Sequence, residues 1–411
     1  MKDLRKQADY ITEKAIQAVL PDEAVKRALE GREFNGRVLL VAIGKAAWQM
    51  AKTARDILGD RMDRGIVITK YDHVKGPIDG CECFEAGHPV PDENSFRATE
   101  RAIKLVSGLS AEDTVIFLVS GGGSALFEKP LIPGEELQDV TEQLLKSGAS
   151  ITEMNTIRKR LSAVKGGRFA ELCLPAKVYS IVLSDIIGDP LDMIASGPAY
   201  PDSTTSEEAL EIAKKYELRL SDTARECLKH ETPKELHNVE TVINSSVREL
   251  CPVAKAACEE LGYETEILTD TLDCEAKDAG KWLAGIAREH RNTDHKQAFI
   301  AGGETVVHIT GSGLGGRNQE LALAAAEGIA GMKAAVFSVG SDGTDGPTDA
   351  AGGYVDGESM DEFFAKGIDV AQVLRDNDSY HALEAVGGLI VTGPTGTNVN
   401  DFACVLVEPE K

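Results

Sequence analysis

Long apolar runs are missing from this chain of 411 residues. A membrane-spanning helix needs about 18 or more consecutive apolar residues. The segment 321–337 comes nearest, but Glu327 and Lys333 interrupt it. Residues 1–20 alternate charged with apolar side chains at helical spacing and lack the apolar core of a signal peptide. The sequence therefore predicts a protein that neither crosses a membrane nor carries an export signal.

Positive charge is also scarce. Lysine and arginine number 44 against 67 aspartates and glutamates, which gives a formal net charge of -23. Nucleic acids and anionic membrane surfaces attract clustered basic side chains. The charge balance therefore argues against both as partners, and the acidity most simply serves solubility.

Cysteines are scattered and contain no C-x-x-C pair, which disfavours a zinc site. A chain of this length can bury a large core without disulfides. Scattered free thiols fit a reducing compartment, so we expect a cytoplasmic protein. The eight cysteines are Cys81, Cys83, Cys173, Cys227, Cys251, Cys258, Cys274 and Cys404.

Short apolar runs alternate with Gly- or Asp-rich loops and helical stretches, a pattern typical of an α/β fold. We expect parallel sheets with helices on both faces, and ligands at the carboxyl ends of the strands. A polar stretch over 203–238 places the domain boundary after His237, which gives domains 1–237 and 238–411. The apolar runs are 38–43, 66–69, 114–119, 178–183, 241–244, 298–301, 335–339, 389–392 and 402–407.

Two glycine-containing loops follow the first and third of these runs. Gly44 and Lys45 stand where a helix begins, and free backbone N–H groups there favour an anion. The alternative for Lys45 is an ordinary surface lysine after a turn. The second loop can wrap its backbone amides around a phosphate or carboxylate, or simply form a tight turn. It consists of Ser120, Gly121, Gly122, Gly123 and Ser124 and does not match the Walker A pattern.

A basic segment at 154–173 stands out in so acidic a chain. Its clustered cations predict an anionic ligand, or else a solvated helix face. We assign Lys159 to such a solvated face. Lys165, which precedes two glycines, is predicted to bind substrate or phosphate. The basic residues are Arg158, Lys159, Arg160, Lys165 and Arg168.

Carboxylates follow two other strands. Asp185 and Asp189 come after the run 178–183 and suit a magnesium ion or a general base. Asp342 and Asp345 lie in a Gly-rich loop that suits a metal–nucleotide site. The alternative interpretation is that the aspartates of both loops only form turns.

Gly311, Gly313 and Gly316 match G-x-G-x-x-G, a pattern typical of dinucleotide binding. The match is weak because the acid that should hold the ribose is misplaced. Arg317 follows at a helix start and suits bidentate contact with a carboxylate or phosphate, and Asn318 beside it is predicted to bind the same ligand. His88 has the alternative of serving as a base, but we assign it a structural role, holding its loop through hydrogen bonds.

These loops together resemble the class II glycerate kinases, whose C-terminal region is called the MOFRL domain. The resemblance runs in family order across nearly the whole chain. The matching segments are GKAA at 44–47, GHPVPD at 87–92, SGGGSAL at 120–126, MN-x-IRK-x-LS-x-VKGGR at 154–168, LSD-x-x-GD at 183–189, SGP-x-x-PD at 196–202, GGET at 302–305, GGRNQELAL at 315–323, SDGTDGPTDAAG at 341–352 and TGPTGTNV at 392–399.

The resemblance implies a Rossmann-like N-terminal domain with a parallel sheet, a smaller α/β domain with the MOFRL region at about 295–408, and an active site in the cleft between them. It implies ATP and Mg²⁺ as cofactors and D-glycerate as substrate, with 2-phosphoglycerate as product. Lys45 and Arg317 correspond to the family's proposed catalytic pair. Asp185 as a catalytic group, and Asp189, Asp342 and Asp345 as metal ligands, are our own additions.

Two rival functions remain open at this point. Relatives in this family have carried the name hydroxypyruvate reductase, and the glycines at 311–316 are compatible with such an oxidoreductase. A nucleotide-binding regulatory protein without catalysis is the other rival. A homodimer is compatible with the chain, although no feature of the sequence fixes the oligomeric state.

Overall fold

The computed structural model describes residues 2–184, 188 and 190–410. It confirms the α/β class. The helices are α1 Lys2–Ala18, α2 Pro21–Leu29, α3 Ala47–Leu58, α4 Glu93–Leu105, α5 Gly123–Leu126, α6 Gly134–Lys146, α7 Ile151–Arg160, α8 Arg168–Leu172, α9 Ser206–Lys215, α10 Asp222–Lys229, α11 Val247–Glu260, α12 Ala276–Glu289, α13 Arg317–Ala325, α14 Ser359–Ala365, α15 Val370–Asp376 and α16 Ser379–Ala385. The strands are β1 Val38–Ile43, β2 Arg64–Lys70, β3 Cys81–Ala86, β4 Thr114–Val119, β5 Lys177–Leu183, β6 Val239–Ser245, β7 Glu264–Leu272, β8 Gln297–Gly303, β9 Ala334–Gly340, β10 Gly352–Asp356, β11 Leu389–Ile390 and β12 Asp401–Val407.

The chain forms two compact units, each with its own sheet. We call Ala24–Asp185 with Asp189–Asn244 the N-terminal unit, and Met1–Glu23 with Ser245–Lys411 the C-terminal unit. The predicted domains were 1–237 and 238–411. The structure instead places the boundary between the units after Asn244, and it assigns Met1–Glu23 to the C-terminal unit. Helix α1 belongs with the C-terminal unit because its apolar face packs against α11, and Leu4 and Ile11 share a buried cluster with Phe337 of β9.

The N-terminal unit is built on a six-stranded sheet with the order β3-β2-β1-β4-β5-β6. Neighbouring strands from β3 through β5 are parallel, as predicted. Strands β1 and β4 are buried along their whole length, which fits apolar runs covered on both faces. The chain runs outward from β1 through β2 to β3, and in the opposite direction from β4 through β5 to β6. The carboxyl ends of β1 and β4 therefore form the switch point at which such sheets bind ligands.

The C-terminal unit has a mixed sheet with the order β11-β10-β9-β12-β8-β7. Only β7 and β8 are parallel; the other neighbours are antiparallel. The expectation of a parallel sheet is wrong for this unit. The connection from β9 to β10 at 341–351 carries no helix, and a parallel return normally needs a helical crossover. Within the described residues, no helix combines the length and apolar character that crossing a membrane requires.

Candidate functional site

The predicted loops after β1 and β4 lie against each other and are joined by hydrogen bonds. Lys45 N donates to the Gly121 carbonyl at 2.9 Å. Ala46 N donates to Ser120 Oγ at 3.1 Å, and Ser120 Oγ donates to the Ile43 carbonyl at 3.1 Å. These hydrogen bonds join the two strand ends directly, so the two loops, each predicted to bind an anion, lie side by side.

Gly44 is required by this close approach. A Cβ on Gly44 would lie 2.3 Å from Ser120 Oγ, and the residue has a φ of +109°. No other residue fits both restrictions. Gly44 therefore has a packing role, because it allows the two loops to approach each other. The sequence had instead predicted that Gly44 binds the ligand.

Lys45 and His88 flank Gly122 at the start of α5. Gly122 has a φ of +87°, and a Cβ there would lie 3.0 Å from His88 Nε2 and 3.3 Å from Lys45 Cγ. The absence of a side chain at this position leaves room for both. His88 follows β3, so the carboxyl ends of β1, β3 and β4 all contribute to this group.

The group is cationic. Within the described part of the chain, no carboxylate pairs with the Lys45 ammonium. Burial lowers the pKa of His88, and the positive charges of Lys45 and Lys70 lower it further. An unpaired ammonium beside glycine amides is suited to bind an anion. We call Lys45, Lys70, His88 and residues 121–123 the switch-point site.

The assignment of His88 to loop hydrogen bonding is wrong. Its ring forms no hydrogen bond with the residues that the structure describes. The loop is instead held by Asp92, which accepts from Ser95 N at 3.0 Å and from Tyr71 OH at 2.6 Å. The signal that could have placed His88 in the site was its position just after β3, a short, partly exposed edge strand that the apolar runs did not reveal.

Lys165 lies beneath the glycine loop, fully buried. Its Nζ donates to the carbonyls of Ser124 at 2.8 Å and Phe127 at 3.0 Å and lies 3.3 Å from Glu128 Oε2. Burial lowers the pKa of Lys165 to about 8. Ser124 Oγ in turn lies 3.0 Å from Ser196 Oγ. Lys165 therefore supports the loop from inside, and this geometry does not favour its predicted contact with substrate or phosphate.

Replacing Lys165 with Met is expected to destabilise the protein by about 3–5 kcal/mol, because it leaves the Glu128 carboxylate buried without a partner. Chemical denaturation monitored by circular dichroism measures the change. The double variant with Glu128→Leu should recover part of the loss. Lys129→Met is the matched control, because Lys129 forms a partly exposed pair with Glu100 and should change stability by less than about 1 kcal/mol. Equal losses for Lys165→Met and Lys129→Met would contradict the buried support.

The assignment of Lys159 to a solvated helix face is also wrong. Lys159 is fully buried, with Nζ 3.0 Å from Asp202 Oδ1 and 3.4 Å from Asp192 Oδ2. Arg160 beside it is equally buried and lies 3.3 Å from Glu231. Lys159 and Arg160 are thus neutralised by acids distant in sequence, which removes the need for an anionic ligand at these two side chains.

In the C-terminal unit, Arg317 is held between two carboxylates at the start of α13. Its Nε and Nη2 donate to Asp401 at 2.5 and 3.1 Å, and its Nη1 donates to Glu304 at 2.7 Å. Burial acts to lower the pKa of Arg317, but these carboxylates raise it overall. The side chain remains 33% exposed, so the guanidinium is fixed in place and still reachable from solvent.

Asp345 caps α13. Its carboxylate accepts from Asn318 N at 3.1 Å and Gln319 N at 2.8 Å, and burial raises its pKa to about 7. The Asn318 amide donates to Asp345 at 3.3 Å and accepts from Ser338 Oγ at 2.6 Å. Both side chains are buried and satisfied internally. This geometry does not favour Asp345 as a metal ligand or Asn318 as a ligand-binding residue.

The remaining acidic candidates do not form a metal cage. Asp342 accepts from Thr344 N at 3.0 Å, as in a local turn. Asp185 and Asp189 lie outside the described residues. Across residues 2–184, 188 and 190–410, no cluster of three or more His, Cys, Asp or Glu side chains has the arrangement of a metal site.

The G-x-G-x-x-G glycines are explained by packing. A Cβ on Gly311 would lie 2.3 Å from Asp376, and one on Gly316 would lie 2.2 Å from Asp345. Gly313 N donates to the Asp376 carbonyl at 2.8 Å. These glycines permit close contact within the C-terminal unit, so the motif does not indicate a dinucleotide.

Comparison with known proteins assigns the family. Residues 7–229 match the family model described as a domain of unknown function, DUF4147, and residues 297–401 match the MOFRL family. The chain is 53% identical to D-glycerate 2-kinase of Thermotoga maritima, with 99% of each chain covered. The chain belongs to the glycerate 2-kinase family. The resemblance seen in the sequence is thereby confirmed.

Other members of the glycerate 2-kinase family support the same assignment. A glycerate 2-kinase of Pyrococcus horikoshii is 40% identical, with 100% of this chain and 98% of that protein covered. The crystal structure of glycerate kinase from Thermotoga maritima superposes with a TM-score of 0.96 at 53% identity, covering 99% of this chain and 100% of that one. The DUF4147 match lies mainly on the N-terminal unit, although its first part, 7–23, belongs to the C-terminal unit, and the MOFRL match lies within the C-terminal unit.

Proposed function

We propose that the protein transfers the γ-phosphoryl group of ATP to the 2-hydroxyl of D-glycerate, giving 2-phospho-D-glycerate and ADP. The observation that carries this proposal is the 53% identity to a D-glycerate 2-kinase over 99% of the chain. Lys45, which has no carboxylate partner among the described residues, and the exposed part of Arg317 supply the charges that phosphoryl transfer requires. Such transfer depends mainly on positioning and on neutralising charge.

In this proposal the switch-point site binds anionic oxygens. Lys45 and the backbone amides of residues 121–123 hold the glycerate carboxylate or an ATP phosphate. Support comes from the ammonium that lacks a carboxylate partner among the described residues and from the left-handed Gly122 at the start of α5.

Arg317 stabilises the transferring phosphoryl group. A guanidinium has five N–H donors, and the contacts with Asp401 and Glu304 occupy three of them. The remaining donors are available to phosphoryl oxygens. Lys45 lies in the N-terminal unit and Arg317 in the C-terminal unit, and the proposal requires each of them for turnover.

Magnesium enters as part of the Mg·ATP substrate complex. Mg²⁺ is commonly held by substrate phosphates with one or two carboxylates and several waters, so in this proposal it accompanies ATP. Asp185 as a catalytic group and Asp189 as a metal ligand stay predictions, and we derive no chemical step from them.

A hydroxypyruvate reductase is the rival that the assay must separate. The purified protein should release ADP from Mg·ATP only when D-glycerate is added. The ADP is detected by the oxidation of NADH in a coupled assay with pyruvate kinase and lactate dehydrogenase. Direct NADH or NADPH oxidation with hydroxypyruvate, without coupling enzymes, should stay at background. The opposite pattern would favour the reductase. ADP release that does not depend on D-glycerate would show that the protein hydrolyses ATP and does not phosphorylate glycerate.

We place the protein in the cytoplasm, since all eight cysteines are free thiols and such thiols persist in reducing compartments. The homodimer stays a prediction. Light scattering coupled to size exclusion gives the mass, to be compared with 43.9 kDa for one chain.

A further inference from the structure

His88 has a position that neither loop packing nor the anion-binding role of Lys45 explains. Its Nε2 and Cδ2 both lie 3.0 Å from the point where a Cβ on Gly122 would stand, and Lys45 Cγ lies 3.3 Å from that point. One glycine thus separates an imidazole nitrogen from a lysine stem. A ligand held by Lys45 and the glycine amides would lie beside that nitrogen.

The backbone on both sides of His88 is fixed, while its imidazole has no hydrogen-bond partner among the described residues. The preceding β3 pairs with β2 through Ala86. The segment that follows is fixed by Asp92, which caps α4. The ring is half-buried, yet it forms no hydrogen bond with any described residue. A partly exposed imidazole that has no partner among the described residues and lies beside a binding loop is free to meet a substrate.

Resting on the proposed function, we propose that His88 is a catalytic residue that accepts the proton of the glycerate 2-hydroxyl during transfer. The glycerate O2 forms a bond to the γ-phosphorus as the bond from that phosphorus to the β,γ-bridging oxygen breaks. The bridging electron pair leaves with ADP. The hydroxyl proton passes to His88, and the imidazolium later releases it to water.

The charged surroundings of His88 suit a base that must be neutral. Among the described residues, the charged groups that lower its pKa are Lys45 after β1 and Lys70 at the end of β2, and its ring also lies against Gly122. On the neighbouring segments, Tyr71 OH donates a hydrogen bond to the Asp92 carboxylate. Burial first, and then both ammonium groups, lower the pKa of His88 below its usual value of 6.5. The ring is therefore neutral at pH 7, and the imidazolium formed by transfer gives up its proton readily.

This proposal predicts a specific pH profile. Because only neutral imidazole accepts a proton, kcat of the wild type should fall as the pH drops through the lowered pKa of His88. His88→Gln should reduce kcat at pH 7.5 by about 100- to 10,000-fold, the usual contribution of a general base. The KM for D-glycerate should change only a few-fold, and the acid limb should disappear. Added imidazole should partly restore turnover to His88→Ala.

The matched control is His73→Gln. Burial and Lys70 lower the pKa of His73 as well, but its ring nitrogen lies against the Tyr71 carbonyl at 3.2 Å. This variant should keep both the rate and the acid limb. Far-ultraviolet circular dichroism of each variant identifies loss of fold, and imidazole rescue shows that His88→Ala retains a competent site.

Three outcomes separate the alternatives. An active wild type together with a His88→Gln enzyme of undiminished kcat and intact acid limb would overturn the base role alone. A higher KM with unchanged kcat would also overturn it, because the histidine would then only bind substrate. Absence of D-glycerate phosphorylation by the wild type would overturn the proposed function, and this inference with it.

Discussion

Lys45→Met is expected to lower kcat/KM for D-glycerate phosphorylation by about 100- to 1,000-fold, the effect typical of removing one preorganised donor from a site of developing charge. The unfolding free energy should change by no more than about 0.5 kcal/mol. The physical reason is that no described carboxylate pairs with the Lys45 ammonium, so its removal leaves no charge without a partner. Steady-state kinetics and denaturant titration measure the two quantities.

Lys52→Met provides the matched control for this experiment. Lys52 lies on the adjoining helix α3 and forms an exposed ion pair with Asp56, so its loss should affect neither activity nor stability. A Lys45→Met enzyme with a kcat/KM close to that of Lys52→Met would show that the switch-point site does not use its lysine.

Arg317→Lys is expected to lower kcat by about 1,000-fold or more, in the range seen when an arginine that stabilises a transferring phosphoryl group is lost. Lysine keeps the positive charge beside Asp401 but cannot make bidentate contacts. Rapid-quench measurement of the first turnover separates this effect on chemistry from product release. Arg375→Lys, at an exposed arginine that contacts only Gln372 through its side chain among the described residues, should remain fully active.

Arg317→Ala is a less informative variant. Asp401 is buried, and burial raises its pKa while Arg317 opposes that rise. Removing the guanidinium leaves this carboxyl group without its charged partner, so we expect instability in addition to lost activity. Unchanged unfolding of Arg317→Ala, or near-normal turnover of Arg317→Lys, would contradict the account of this arginine.

The sequence was informative where the structure depends on local pattern. The apolar runs at 38–43 and 114–119 became the central strands β1 and β4 without adjustment. Parallel strands place their following loops at one edge of the sheet, and this rule correctly joined Lys45 to the glycine loop. The sequences of these loops were also sufficient to reveal the resemblance to the class II glycerate kinases.

The sequence was uninformative where contacts join distant residues. Asp202 lies 43 positions from Lys159, and Asp401 lies 84 positions from Arg317, so no local pattern could reveal that these cations are paired. The same limitation led to Lys165 and Asp345 being read as ligands although each has internal partners. Strand β3 escaped notice because an edge strand is partly exposed and its sequence, CECFEA, is not an apolar run.

The central claim concerns one reaction at one hydroxyl. Incubation of the purified protein with ATP, Mg²⁺ and D-glycerate, followed by phosphorus NMR of the product, tests it most directly. The account predicts the resonance of 2-phosphoglycerate, with a proton coupling that marks a phosphorylated secondary hydroxyl, together with an equal amount of ADP. A 3-phosphoglycerate signal, or ATP that stays intact in the presence of D-glycerate, would contradict it.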